Sequence, residues 1–134
     1  MAFSLYKQAA EQNHMYAQNN LAQMYERGHG TPTNFTKAKY WFEKSSNQFY
    51  SLAFVHLGYL YEYGYGVGQD YEQAKRYYKQ AVQLEDAKGE LRLALLYLRG
   101  QGGAVDKEKA ILLLQSSASK GNSYAKYHLS LLSS

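Results

Sequence analysis

The amino-acid sequence predicts an all-α protein, a right-handed α-solenoid of antiparallel helix pairs with a period of 36 residues. Three sets of like residues recur at that interval: Gly28, Gly64 and Gly100; Leu21, Leu57, Leu93 and Leu129; Ala38, Ala74 and Ala110. A constant interval of this length is typical of stacked helix pairs, each of which buries its apolar side only against its neighbours. In each repeat the glycines follow a repeated tyrosine (Tyr25, Tyr61 or Tyr97) and precede the repeated alanine. One helix must end and the next begin between these two positions.

A single domain accounts for the whole chain, because 134 residues with 46 % apolar content can form one continuous core. The interval divides this domain, 1–134, into about three full repeats with a half repeat at each end. The predicted boundaries are 1–16 for the first half repeat, 17–52, 53–88 and 89–124 for the full repeats, and 125–134 for the last half repeat.

The composition narrows the range of functions. The chain has no cysteine, so it has neither disulfides nor thiolate metal sites. Its net charge of +4 is mild, and basic residues alternate with acidic ones, so we expect no nucleic-acid partner. The sequence contains no run of about 18 apolar residues, so we expect no membrane span. The first residues lack the pattern of a signal peptide. A removed signal would be invisible, so the cellular location stays open, as does the idea that the chain is part of a longer, bacterial protein.

The chain opens with a predicted amphipathic helix over about 1–12, in which Leu5 and Ala9 are four positions apart. Asn13 is the predicted break, because asparagine tolerates the left-handed conformation that ends helices.

The first full repeat starts with a predicted helix over about 15–27, which Gly28 and Gly30 end. Asn34 is the predicted N-cap of the second helix, over about 35–47, because its side-chain oxygen can accept from a free amide of the first turn. Pro32 precedes this helix and does not interrupt it.

The central repeat has the strongest signals. Gly64 and Gly66 end its first helix, and Asp70 caps its second helix, with Gln73 at the spacing of a capping box. The predicted apolar side chains of the two helices are Ala53, Leu57, Leu60 and Tyr61 on the first, and Ala74, Tyr77, Tyr78 and Ala81 on the second.

The third repeat substitutes aliphatic residues for aromatic ones, with Asp106 as the predicted cap, and a last helix is predicted over about 123–132. A small residue, Ala22, Gly58 or Ala94, follows each repeated leucine of the full repeats. Small side chains at these places allow two helices to approach to about 8 Å between axes.

The central copy, from Ala53 to Ala81, reads A-x-x-x-L-G-x-L-Y-x-x-G-x-G-V-x-x-D-x-x-x-A-x-x-Y-Y-x-x-A. This string resembles the Sel-one-like repeat (SLR) family, relatives of the tetratricopeptide repeats, and the resemblance covers essentially the full chain. The copies depart from it locally: Thr31 and Pro32 replace Val67 and Gly68, and Gly89 replaces Ala53. These departures concern loop geometry and leave the predicted fold unchanged.

The resemblance implies a superhelix in which the first helix of each pair lines a concave surface. It also implies a protein–protein interaction scaffold or adaptor, because members of the family commonly act in that way. We therefore expect a protein or peptide partner, no enzymatic activity and no cofactor.

Residues that would turn toward the concave side, if packing follows tetratricopeptide geometry, form three rows. The predicted partner-binding residues are Asn19, Gln23 and Arg27 in the first row, Val55, Tyr59, Glu62 and Tyr63 in the second, and Leu91, Leu95, Leu98 and Arg99 in the third. The predicted helix that carries the third row is apolar on two sides. An exposed apolar row with charges at its rim indicates a contact surface. Tyr59, Tyr63, Leu95 and Arg99 are the expected anchors, since aromatic residues and arginine dominate binding hot spots.

Two alternatives stay open. The apolar row could simply be covered by the curved solenoid or by the last helix. The half repeats at the two ends could instead associate with a second copy of the chain, which would make the protein a homodimer or an assembly module.

Motifs that carry chemistry are weak in this sequence. Ser117 and Lys120 fit S-x-x-K, but Ser117 is at a repeat position where small residues pack. The glycines at 64, 66 and 68 follow a helix instead of a strand, so helix termination explains them better than phosphate binding. No two of the four histidines are three or four residues apart, and His56 and His128 are interpreted as helix-surface residues. We predict no catalytic or metal site.

Overall fold

The computed structural model describes residues 2–132, which form eight α-helices and no strand. The helices are α1 Ala2–Glu11, α2 Met15–Arg27, α3 Phe35–Ser46, α4 Ser51–Tyr63, α5 Tyr71–Gln83, α6 Ala87–Arg99, α7 Lys107–Ser119 and α8 Ser123–Leu132. The all-α helical-repeat fold predicted from the sequence is confirmed, and each predicted helix is found within about two residues of its expected ends. No helix in this part of the chain has the length and apolar character needed to cross a membrane.

The helices pack in chain order. Helices α2 and α3, α4 and α5, and α6 and α7 form the closest pairs, each pair contacts the next, and α4 also contacts α6. The starts of α2, α4, α6 and α8, at Met15, Ser51, Ala87 and Ser123, are each 36 residues apart (51 − 15, 87 − 51 and 123 − 87). The even-numbered helices therefore occupy equivalent positions in the repeat.

Buried apolar side chains form two clusters that meet at α4. The first cluster includes Leu21, Phe42 and Leu57, and the second includes Tyr78 and Leu96. All five of these side chains have no solvent exposure. Each helix pair therefore completes its core with side chains from the next pair, as expected of a repeat protein.

The predicted caps are present. The side chains of Asn34, Asp70 and Asp106 accept hydrogen bonds from the backbone amides three residues later, at 3.0, 3.1 and 3.0 Å. The capping box predicted for Asp70 and Gln73 is only half formed. The Asp70 amide donates instead to the Tyr61 carbonyl at 2.9 Å, which ties the loop back to the preceding helix.

The glycines that end α2, α4 and α6 adopt the left-handed conformation, with φ of 74° at Gly28, 72° at Gly64 and 65° at Gly100. The second glycine of each loop has a role beyond helix termination. A Cβ at Gly66 would lie 2.5 Å from the Cβ of Phe35, and one at Gly102 would lie 2.8 Å from the Tyr71 carbonyl oxygen. Each loop thus lies directly against the start of a helix in the preceding repeat, so the interpretation that helix termination alone explains the glycines is incomplete.

The turns between repeats also use left-handed residues. Asn13 has a φ of 68°, as predicted, and Phe49, Glu85 and Gly121 take the equivalent place with φ of 62°, 61° and 94°. Phe49 is unusual because glycine or asparagine is the ordinary residue for this conformation.

Candidate functional site

A cavity of about 640 Å³ opens between α4, α6 and the start of α8. We call it the α6 cavity; its principal lining residues are Tyr59 of α4, Lys88, Leu91, Arg92, Leu95 and Arg99 of α6, and Asn122, Tyr124 and His128 of the α8 segment. Four residues predicted from the sequence, Tyr59, Leu91, Leu95 and Arg99, therefore lie around one cavity.

Helix α6 supplies most of the cavity because its lining residues share one side of the helix. Leu91 and Arg92 are adjacent and lie three and four residues after Lys88. Leu95 lies four and three residues after them, and Arg99 lies four residues after Leu95. Leucines and cations both occur on this side: Lys88 and Arg99 lie at its two ends, and Leu91, Arg92 and Leu95 lie between them. The leucines are only 7 % exposed, so they form the floor, while the side chain of Arg99 is 50 % exposed at the rim.

Glu62 supports this side of α6 from beneath. Its carboxylate is 3 % exposed and accepts hydrogen bonds from the Tyr78 hydroxyl at 2.6 Å and from Arg92 Nη2 at 3.1 Å. Arg99 Nη1 is 4.0 Å from the second carboxylate oxygen. A buried carboxylate is stable only when it is paired and hydrogen-bonded, so this network is a requirement for burying Glu62.

Arg92 is the central cation of the cavity. Its guanidinium lies 5.0 Å from the ring centre of Tyr59 and 5.6 Å from that of Tyr63, and it donates a hydrogen bond to the Tyr63 hydroxyl. Burial works against the charge of Arg92, but interactions with Tyr78, Glu62 and Tyr63 outweigh this effect, so its pKa is raised. Arg92 therefore stays charged and holds the aromatic wall of the cavity in place.

Arg92 is a residue that the sequence reasoning missed. The three predicted rows were chosen by analogy with tetratricopeptide geometry, which selected Leu91 and Leu95 but skipped Arg92, one of the three residues between them. The helical spacing from Lys88 to Arg92, and from Arg92 to Leu95 and Arg99, was the signal that could have found it.

Several predicted contact residues lie away from the cavity surface. Val55 is 0 % exposed and Asn19 is 1 % exposed, because both turn into the packing between helices and offer no surface to a partner. Leu98 is partly buried against the core cluster of α4 to α7. The alternative that neighbouring helices cover the apolar side of α6 thus applies to much of its leucine surface.

The first predicted row forms a separate region. Gln23 and Arg27 line a smaller hollow with Tyr6 and Met24, away from the α6 cavity. Gln23 Nε2 is also 3.0 Å from His56 Nε2, which fixes its amide against α4.

The interpretation of His56 as a surface histidine is wrong. The residue is 7 % exposed, and its ring stacks on Phe42 with the ring centres 4.8 Å apart. Its Nδ1 is 3.5 Å from a carboxylate oxygen of Glu26. His56 therefore belongs to a polar cluster between α2 and α4, which the spacing of histidines in the sequence did not indicate.

The site has the chemistry of a binding surface. Within residues 2–132, no group of three or more side chains could hold a metal ion. Ser117 is fully buried and its hydroxyl donates to the Ala87 carbonyl at 2.7 Å, so it joins the end of α7 to the start of α6. The cavity itself offers apolar, aromatic and cationic groups, which can hold a side chain or a segment of another molecule.

Comparison with known proteins identifies relatives of the whole fold. A family model described as Sel1 repeat matches residues 1–14, 16–48, 52–86 and 87–122. No curated protein matches the chain.

Solved structures are similar over nearly the whole chain. A Sel1 repeat protein from Oxalobacter formigenes is 33 % identical, with a TM-score of 0.88, over 95 % of this chain and 52 % of that protein. A protective antigen with an SLR fold from uropathogenic Escherichia coli is 29 % identical, with a TM-score of 0.87, over 95 % of this chain and 27 % of that one. A Sel1 repeat protein from Klebsiella pneumoniae is 32 % identical, with a TM-score of 0.74, over 92 % of this chain and 57 % of its own. The chain thus spans about half or less of the first two relatives.

Proposed function

Because this chain belongs to the Sel1 repeat family, we propose that it is an interaction scaffold that binds an extended segment of a partner protein across α4, α6 and α8. Sel1 repeat proteins are generally protein-interaction scaffolds, and the family is a structural repeat, generally without enzymatic activity. We propose no reaction for this chain.

The observation that carries the proposal is the α6 cavity. It joins a leucine floor to Tyr59, Arg92 and Arg99, the kinds of side chain that dominate binding hot spots. Tyr124, which is 70 % exposed, adds aromatic surface to the cavity, and Tyr63, which is 47 % exposed, extends aromatic surface beyond it. An extended segment can follow this surface from one repeat to the next, because α4, α6 and α8 are equivalent helices.

The test is partner capture with the double variant Tyr59→Ala, Arg99→Glu. We expect it to lose partners that the unchanged protein captures from extract of its source organism, as read by quantitative mass spectrometry. Circular dichroism must show that the variant is folded.

A matched control carries the double variant Tyr40→Ala, Lys79→Glu, which changes one exposed tyrosine and one exposed cation on α3 and α5. We expect this control to capture the same partners as the unchanged protein. Equal capture by a folded Tyr59→Ala, Arg99→Glu protein would remove the even-numbered helices from consideration.

Self-association is the second candidate function. Leu5 of α1 is 64 % exposed and Tyr127 of α8 is 59 % exposed, so both end helices carry apolar surface that a second copy can cover. Contact between α8 of one copy and α1 of another would be a head-to-tail interface. Light scattering coupled to size exclusion tests this idea: concentration-dependent oligomers that Tyr127→Lys abolishes would support it, and a strict monomer at high concentration would refute it.

A further inference from the structure

We propose that the α6 cavity selects acidic protein segments, in which two carboxylates, four residues apart along an extended chain, flank an apolar side chain on the same side of that chain. This proposal rests on the proposed scaffold function and names the chemistry of the segment that the scaffold would take.

The lining of the α6 cavity is positively charged. Three of its lining side chains, Lys88, Arg92 and Arg99, are cationic, and none of its lining residues is Asp or Glu. The neighbouring carboxylate of Glu62 is buried and already accepts hydrogen bonds from Tyr78 and Arg92. A ligand must therefore supply the negative charge that this surface lacks.

The three cations differ in how strongly other side chains of the protein already bind them. Arg92 is hydrogen-bonded to Glu62, and its side chain is only 18 % exposed. Arg99 is half exposed, and the nearest carboxylate oxygen is 4.0 Å away. The ammonium group of Lys88, which is exposed, forms an ion pair with no carboxylate of residues 2–132. Lys88 has no ion pair within residues 2–132 and Arg99 has only the long contact with Glu62, so these two cations are the ones available to a ligand.

The distance between Lys88 and Arg99 determines the length of the segment that can bind both. Eleven residues of α-helix separate Lys88 from Arg99, which corresponds to about 16 Å along α6. The first and fifth Cα atoms of an extended peptide are about 13 Å apart, and its first, third and fifth side chains lie on one side, so the long side chains of Lys88, Arg99 and two acidic residues can span the remainder. Leu91 and Leu95 lie between the cations, so the complementary segment has an apolar side chain between its two acidic residues.

Tyr124 forms the opposite wall at the start of α8. It is 70 % exposed, so its ring is available to pack against the apolar side chain of the segment. The charge is concentrated at one cavity in a chain whose other basic and acidic residues are interspersed, which favours a short acidic segment over an extended polyanion.

The experiment uses fluorescence anisotropy with the whole protein and a labelled peptide, Glu-Ser-Leu-Ser-Glu, with blocked ends, in which the glutamates and the leucine lie on one side of the extended chain. Three further peptides carry glutamine in place of both glutamates, phosphoserine in place of both, or serine in place of leucine. We expect the glutamate peptide to bind about tenfold or more tightly than the glutamine and serine peptides, and to weaken as salt is added.

Protein variants locate the binding. The double variant Lys88→Gln, Arg99→Gln should lose about tenfold or more in affinity for the glutamate peptide, because both free cations are removed. The matched control Arg76→Gln, Lys79→Gln, which neutralises two exposed cations of α5, should bind as the unchanged protein does.

Equal binding of the glutamate and glutamine peptides, or no binding of either, would overturn the proposal, as would unchanged binding by Lys88→Gln, Arg99→Gln. If the phosphoserine peptide binds much more tightly than the glutamate peptide, the anionic group that the cavity selects is a phosphate, and the proposal of a carboxylate is wrong. Failure here with loss of capture by Tyr59→Ala, Arg99→Glu would leave the scaffold function standing. Selective peptide binding together with unchanged capture by that variant would instead show that the captured partners bind outside the α6 cavity, against the proposed binding surface.

Discussion

Glu62 shows how a single residue can combine structural support with an indirect contribution to the candidate surface. The sequence predicted Glu62 as a direct contact, but its carboxylate is 3 % exposed and binds Tyr78 of α5 and Arg92 of α6. It therefore connects three helices and orients the central cation of the α6 cavity. Any influence of Glu62 on a partner would act through Arg92.

Tyrosine burial predicts a loss of stability at alkaline pH. Burial raises the pKa of Tyr78, and the charge and hydrogen bond of Glu62 raise it further. Burial also raises the pKa of Tyr59 and Tyr77. Above about pH 10 the unfolded chain loses these protons while the folded chain keeps them, so the free energy of unfolding falls as pH rises. Below that pH both states are protonated and the effect is absent.

Urea unfolding at a series of alkaline pH values measures this loss. Tyr78→Phe is the informative variant, because it removes one of the titrating groups. Its free energy of unfolding should fall less steeply, by about 1.4 kcal/mol per pH unit, above about pH 10. Stability that is flat up to about pH 11 in the unchanged protein would contradict the prediction.

Phe49 combines an unfavourable backbone with an exposed ring. Its φ is 62°, and the residue is 73 % exposed. The left-handed conformation costs a residue with a Cβ about 1 kcal/mol relative to glycine. Phe49→Gly should therefore be more stable than Phe49→Ala by about 1 kcal/mol in chemical unfolding, since both variants lose the ring and only glycine relieves the backbone. Equal stability of the two variants would show that the turn relaxes without cost.

At the scale of elements, the contact between α4 and α5 depends on Gly58. A Cβ at this position would lie 2.2 Å from Cε1 of Tyr78, whose ring is fully buried. Gly58→Ala should destabilise the protein by about 1–3 kcal/mol, because overpacking outweighs the better helix propensity of alanine. Ala94, the equivalent and fully buried residue of α6, should respond in the same way to leucine.

The control for this prediction is Gly68→Ala. No heavy atom lies within 4 Å of a Cβ built at Gly68, and its φ lies outside the left-handed region. Its thermal melting should change little, corresponding to about 0.5 kcal/mol or less. A Gly58→Ala protein as stable as Gly68→Ala would mean that α4 and α5 can separate freely.

The elements were largely predictable because local signals determine them. Asn34, Asp70 and Asp106 mark helix starts by a side-chain oxygen, and Gly28, Gly64 and Gly100 mark helix ends by their conformational freedom. The missed features depend on residues distant in the sequence. The role of Gly66 requires knowledge that Phe35 lies beside it, and the failed capping box depends on a competing carbonyl from Tyr61.

At the scale of the whole molecule, stability should decline from the middle to the ends. Helices α4 and α6 bury residues on most sides, whereas Ala10 is the buried residue of α1 and Ala125 that of α8. In a protein whose units contact only their neighbours, the ends open most easily. We expect amide hydrogen exchange to be slowest in α4 to α6 and fastest in α1 and α8, measured by mass spectrometry. Uniform protection would indicate that the chain unfolds as one cooperative unit.

The candidate surface was predicted in part. Tyr59, Leu91, Leu95 and Arg99 were placed on one surface by analogy with tetratricopeptide geometry, and all four line the α6 cavity. Spacing does not determine depth, so Val55 and Asn19 were predicted as contacts although neighbouring helices cover them. Tyr124 and His128 were missed because the sequence does not show how near α8 comes to α6.

The close contacts of Gly66 with Phe35 and of Gly102 with Tyr71 have a geometric consequence for the array. A methyl group at either glycine would act as a wedge between adjacent repeats on the loop side and would tilt one repeat relative to the next. Because each tilt is inherited by every later repeat, a small local displacement would grow with distance along the array. The spacing between distant residues of the candidate surface is therefore set partly by glycines that lie outside that surface.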